Sequence, residues 1–261
     1  MTKARLRNKK QGEVWVREWL LKRKEKGCTE NLLKELEVQL PVLFANFLRM
    51  SKNNVDLLLG LVGPLIERQD TILREAISSR ERLMLTLRYL ATGESFKSLS
   101  YMFRISQPCI SVIVPETCEA IYQSLKDRHF KVPYCFICDD AFAIGQHMMK
   151  PFSTRQLNYM QRIFNYRLSR ARRVIENIFG IITRRFLVFE KPILLEPAKA
   201  KIITLAACAL HNFLIDIKSD YATDIETMVN DDEAHQEVFD DVTDIGANEI
   251  RNQLMEWFLT P

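Results

Sequence analysis

A mainly α-helical fold is what this sequence predicts, and three observations carry the prediction. Glycine is scarce, with 8 in 261 residues, too few for the many tight turns of an all-β architecture. Apolar residues recur at three- and four-residue intervals through the first 125 residues, the spacing of one amphipathic helix face. Only one short run, starting at Val132, reads as a buried strand. With 47% hydrophobic residues there is ample material for a packed core.

The elements follow in order. Val14, Val16, Trp19, Leu20 and Leu21 form an apolar stripe flanked by charge, and Gly27 stops it. Thr29 is placed to cap a helix over 30–38. Pro41 opens the next, where its missing N–H costs nothing, and that helix carries Leu43, Phe44, Phe47 and Leu48. Val55, Leu58, Leu59, Leu61, Val62, Leu65 and Ile66 supply another buried face. Ser78 or Ser79 caps a helix through Leu83, Leu85, Leu87 and Leu90 that ends near Gly93.

From Ser95 the pattern tightens. Phe96, Leu99 and Phe103 point inward from one short helix, residues 105–107 connect, and Ser106 caps a second helix with Pro108 in its first turn. Ile110, Ile113 and Val114 repeat on one face before Pro115 restarts or kinks the helix running to Leu125. Two short helices joined by about three residues make a helix-turn-helix near 95–125, whose second helix would lie in a major groove. On it Gln107 and Ser111 are the candidate DNA-binding residues, four apart on the polar side. Ordinary helical bundles use the same geometry, so the pattern alone leaves both readings open.

At Val132 the run VPYCFIC reads as a strand and ends in Asp139 and Asp140. A helix is expected over 155–182, with Ile163, Phe164, Leu168, Ala171, Ile175, Ile178 and Phe179 inward and Glu176 one turn after Arg172 and Arg173. A short extended piece over 186–189, an apolar helix over 197–214, a polar stretch over 216–247 expected to be disordered, and a last helix over 250–259 complete the chain. The expected organisation is a helical DNA-binding region over 1–126, a second part over 132–214, and an acidic tail over 215–261.

Charge is unevenly spread. The net charge is +4, yet residues 1–27 hold ten Lys/Arg against three Glu, and residues 215–261 hold thirteen Asp/Glu against Lys218 and Arg251. A basic head and an acidic tail suggest nucleic acid as a partner, with the tail as competitor or docking segment. The longest apolar stretch is about ten residues around 202–210, short of the roughly 20 that span a membrane. A soluble protein is expected. The charged start MTKARLRNKK has no apolar region behind it, which argues against a secretory signal and for a reducing compartment. The six cysteines fit that reading, and the lone pair Cys135 and Cys138 reads as core packing, not a zinc site. His129, His147, His211 and His235 lack ligand spacing, and no phosphate-cradling or acyl-transfer motif occurs.

A carboxylate at a strand end with a second on a later helix is how a divalent metal is held for phosphoryl transfer. Asp139 and Glu176 are the candidate catalytic and metal-binding residues for that chemistry. Arg172 and Arg173 beside Glu176 would meet a phosphate backbone. The same residues admit a plainer reading, in which Glu176 pairs with Arg172 or Arg173 and Asp139 caps a turn.

The stretches CDDAFAIGQHMMKPF, QRIFNYRLSRARRVIENIFGIITRRF and ALHNFL resemble the C-terminal part of PIF/Harbinger-type transposases and the nucleases derived from them. Upstream, WVREWLLKR, FLRM and ISSRERLMLTLRYLATGESFKSLSYMFRISQPCISVIV resemble the family's N-terminal helical part. The resemblance implies a ribonuclease-H-like α/β core, DNA as substrate, and hydrolysis by two Asp and one Glu holding Mg²⁺ or Mn²⁺. It also implies a nuclear location and a Myb/SANT-like partner protein, with no membrane. By position, Asp139 is similar to the second triad Asp, Glu176 to the Glu, and Asp140 to an accessory position. The family's first Asp sits in an Ile-Asp-Gly strand that would fall between Leu125 and Val132, where this chain has KDRHFK. Asp127 sits in a charged helix end or linker instead. The fold expected is therefore a helical region plus an incomplete ribonuclease-H-like nuclease remnant with impaired activity. The alternative is an inactive DNA-binding or protein-interaction factor of transposase origin.

Overall fold

A computed structural model of the chain describes residues 17–71, 75–129, 136–145, 148–153, 156–217, 251–252 and 255. Most of the basic head, Cys135, His147, Arg155 and the acidic stretch 218–250 lie outside the described residues. The helices are α1 (Glu18–Leu21), α2 (Arg23–Lys26), α3 (Lys34–Gln39), α4 (Pro41–Leu48), α5 (Lys52–Ile66), α6 (Ser79–Thr92), α7 (Phe96–Phe103), α8 (Gln107–His129), α9 (Tyr159–Arg185) and α10 (Pro197–Asp216). Two strands, β1 (Phe136–Ile137) and β2 (Met148–Met149), lie between α8 and α9 and pair in parallel. The described part of the chain is thus mainly α. Two compact units divide it, one drawn from Met1–Ala120 with Val188–Ile203, the other from Ile121–Leu187 with Thr204–Pro261.

The first unit is a helical bundle built around α6. Ser78 caps α6 by accepting from Glu81 N–H at 3.2 Å, and Gly93 ends it in the left-handed region at φ 62°, a conformation that costs glycine little. Between those caps, Leu83, Met84, Leu85, Leu87 and Leu90 are each essentially fully buried. That width of burial exceeds a single helical face, and α4, α5 and α7 all pack on α6 to cover it. Phe44 and Leu48 come from α4, Val55, Leu58 and Val62 from α5, and Leu99 and Phe103 from α7. The entry helices are tied to α7, because Arg104 donates to Trp19 O at 2.7 Å and Cys28 N–H donates to Met102 O at 3.1 Å.

Several local expectations meet a different outcome. Residues Thr29–Leu33 form a π-helical turn ahead of α3, and Thr29 makes no capping bond. Pro115 does not restart the helix, since α8 runs through it; proline takes one backbone donor from the ladder. Residues Leu187–Phe189 form a 3-10 turn, not an extended piece.

In the second unit, α9 starts at a capping box. Asn158 accepts from Gln161 N–H at 2.8 Å, while the Gln161 side chain accepts from Asn158 N–H at 3.1 Å. Phe164 and Leu168 bury against Met149, with Phe152 and Met255 packed around them. Farther along, Ile175 and Phe179 are exposed, not inward, at 50% and 61%. Phe136 and Ile137 are likewise half open, so the strand is not buried on both faces as its apolar run suggests. Helix α10 is the one described helix long and apolar enough to cross a membrane. Its Ile203, Ala206, Ala207, Ala209, Leu210, Phe213 and Leu214 are spent on core packing.

Candidate functional site

The strand pair decides where Asp139 stands. Phe136 aligns with Met148 and Ile137 with Met149, and Cys138 N–H extends the ladder with a bond to Met149 O at 2.7 Å. Asp139 is the next residue, where the chain leaves the sheet. Its Oδ1 accepts from Ala141 N–H at 3.0 Å, the local turn that Asp side chains favour. Asp140 is turned to Lys150, whose ammonium lies 3.5 Å from its Oδ1. The buried Cys138 thiol lies 3.7 Å from Met148 Sδ, which fits the packing role expected of it.

Glu176 belongs to α9, which packs against β1. The helix is anchored at its first half by Asn165, which accepts from Phe152 N–H at 2.8 Å and donates to Phe152 O at 2.9 Å. That two-way clamp ties the helix to the segment after β2. Phe152 in turn meets Phe164 edge-on, with ring centroids 5.4 Å apart. Sequence reading missed Asn165 and Lys150. A polar residue next to the core position Phe164 is the one signal that could have pointed to Asn165.

The middle of α9, residues 173–177, is open. The Glu176 side chain is 67% exposed and lies 3.9 Å from Arg172, one turn back. This is the plainer pairing that the spacing allowed, worth a few tenths of a kcal/mol at most. Arg173 is exposed on the neighbouring face. In the first unit Gln107 is exposed at the start of α8, and the Ser111 hydroxyl donates to Pro108 O at 2.8 Å. Asp127 lies in α8 and is exposed, away from any strand.

A metal pair needs carboxylates that converge with free oxygens. Here one Asp139 oxygen holds a turn, Glu176 faces outward toward an arginine, and among the described residues no three His, Cys, Asp or Glu side chains are grouped to hold an ion. As placed, the donor set does not fit a two-metal centre. His211 does not add to it. It is 3% exposed in α10, and burial together with the Arg185 charge pushes its imidazole down to about 4.

No curated protein and no solved structure matches the chain. Residues 114–212, the span that carries β1, β2, α9 and both candidate carboxylates, match the family model described as DDE superfamily endonuclease, which supports a transposase-derived, nuclease-like origin for this part of the chain.

Proposed function

We propose that the protein is a nuclease-like derivative of a Harbinger-type transposase that holds DNA and whose own phosphodiester cleavage is impaired. The observation that carries this reading is the endonuclease match over 114–212, which contains Asp139 after a strand and Glu176 on the helix that follows. Only residues 130–135 separate α8 from β1, too short a piece for the strand with a first Asp and the further strands that such a core requires. Asp139 and Glu176 are the surviving positions of the catalytic and metal-binding triad, with Asp140 beside them.

DDE-type nuclease domains use divalent ions, Mg²⁺ or Mn²⁺, to activate water and neutralise a leaving oxygen. Among the described residues the carboxylates do not converge to form such a site, so no cleavage step is assigned to them. What remains suited to DNA is charge and shape. Arg172 and Arg173 contact phosphate, and α7 with α8 acts as the helix-turn-helix in which Gln107 and Ser111 approach base edges. The nucleus is the compartment this reading requires, with a Myb/SANT-like protein as partner.

The test is a plasmid-nicking assay with Mg²⁺ and with Mn²⁺, run beside a DNA-binding titration. The expected result is salt-sensitive binding that survives Asp139→Asn and Glu176→Gln, with no metal-dependent nicking. Nicking that either substitution abolishes would overturn the impaired reading and establish an active nuclease. A chain that binds no DNA at all would overturn the DNA reading as well.

A further inference from the structure

Helix α9 uses two of its sides differently. Phe164 and Leu168 face the core. At 3.6 residues per turn, Tyr159, Arg162, Tyr166, Arg170, Arg173 and Arg184 all fall within about 80° of arc on a different side. The stripe runs for about 38 Å at 1.5 Å per residue. Tyr159 is 75% and Tyr166 62% exposed, and Arg162, Arg173 and Arg184 are exposed too. The Arg170 guanidinium sits 6.0 Å from the centre of the Tyr166 ring. Glu176, the one carboxylate in the sequence of α9, lies outside that arc beside Arg172.

Two tyrosine rings stand accessible on a helix that buries Phe164. Their interleaving with arginines describes the ligand they fit. Each guanidinium is a permanent cation with a planar face, suited to phosphate and to stacking. Each phenol ring offers a surface on which a base can lie. A duplex presents phosphates but keeps its base faces stacked inside, so it can use the arginines and not the tyrosines. An unpaired strand can use both.

We propose that this Tyr/Arg stripe of α9 is a binding track for unpaired nucleic acid, with single-stranded DNA as the occupant. The proposal rests on the DNA reading above and adds the strand state and the face that recognises it. Tyr159 and Tyr166 stack bases, Arg162, Arg173 and Arg184 hold phosphates, and Arg170 supports the Tyr166 ring.

The experiment is fluorescence anisotropy on the full chain with labelled oligo-dT of 20 nucleotides and a duplex of 20 base pairs, at several salt concentrations. The wild type is expected to bind oligo-dT more tightly than duplex. The double variant Tyr159→Ala/Tyr166→Ala is expected to lose about tenfold or more on oligo-dT, in line with stacking losses, and less than twofold on duplex. Arg162→Gln/Arg173→Gln is expected to weaken both and to lower the salt slope, by about 0.7 per lost contact on the single strand. Lys201→Gln, an exposed change on α10, serves as the charge control and leaves both unchanged. Circular dichroism confirms that each variant is folded. Equal losses on both DNAs in the tyrosine variant, or none on either, overturn the stripe while leaving a duplex-binding protein in place. Poly-glutamate competing as well as oligo-dT of equal charge also overturns it, since an acidic peptide would then be an equal occupant. Absence of binding to either DNA removes the underlying DNA reading too.

Discussion

Glu116 holds two guanidinium groups on a single oxygen. Its Oε2 accepts from Arg82 Nη2 and from Arg68 Nη2, the latter at 3.0 Å. Arg82 is 5% exposed, so this carboxylate is the counter-charge that lets a buried cation on α6 face α8.

That arrangement has a pH signature. Burial alone would raise the Glu116 carboxyl, but hydrogen bonds from Arg82 and Arg68, aided by their charge, hold it below the ordinary value of 4.5. A depressed carboxyl stabilises the fold above its unfolded value, and that contribution is lost as pH falls through the folded value. Glu116→Gln is expected to cost about 1–2 kcal/mol at pH 7, limited by the partial exposure of the carboxylate. Urea unfolding at pH 7 and pH 3.5 checks it: the gap between wild type and variant should narrow in acid, and a constant gap would refute the assignment.

His211 works with the opposite charge and the same sign. Its imidazole is held down to about 4 by burial and by Arg185, so the folded protein resists a proton that the unfolded chain accepts at about 6.5. Stability is therefore intact above pH 6.5 and declines as pH falls toward 4, by up to about 3 kcal/mol. His211→Gln should flatten the thermal-midpoint profile between pH 7 and pH 4.5. An unchanged slope in that variant would show that another group carries the loss.

The two sets of DNA contacts proposed for α8 and α9 should separate in a titration against salt and sequence. Arg172→Gln/Arg173→Gln is expected to weaken duplex binding on every sequence and to lower the salt slope, by about 0.9 per lost phosphate contact. Gln107→Ala is expected to change sequence preference and leave the salt slope alone. A shift in salt slope for Gln107→Ala would make it a backbone contact instead of a reader of bases.

Thiol chemistry gives an independent check of packing. Cys28 and Cys118 are buried, and burial pushes the Cys28 thiol up to about 11 and the Cys118 thiol higher still. Thiols held protonated and covered react slowly. Iodoacetamide at pH 8 should leave both unmodified in the folded protein and label both in 6 M urea, read by peptide mass spectrometry. Labelling of Cys118 under native conditions would show that α8 opens readily there.

Much of the first unit could be read from local chemistry. Ser78, Gly93, Pro41 and the connector after Phe103 act through neighbours only a few residues away, and sequence shows such neighbours directly. Periodicity failed where a helix lacks cover along its middle. Ile175 and Phe179 have the spacing of a core face, yet they stand exposed between the buried Phe164 and Leu168 and the buried Ile181 and Ile182. Pattern reports which side of a helix is apolar, while burial depends on what tertiary structure places opposite. The site shows the same division. The positions of Asp139 and Glu176 along the chain were legible, whereas the turn bond that occupies Asp139 and the outward aim of Glu176 are products of packing.

The first unit is assembled from two stretches far apart in the chain. Its stretch Met1–Ala120 is joined by Val188–Ile203, residues that leave the ribosome much later. At 5–20 residues per second, the last of them follow Ala120 by about 4–17 s. Helices that form in microseconds must therefore wait, incompletely covered, for the closing segment to arrive. A nascent chain of this kind exposes apolar surface of the first unit until residue 203 has emerged and of the second until residues 206–214 follow, and chaperone occupancy during synthesis should fall only then.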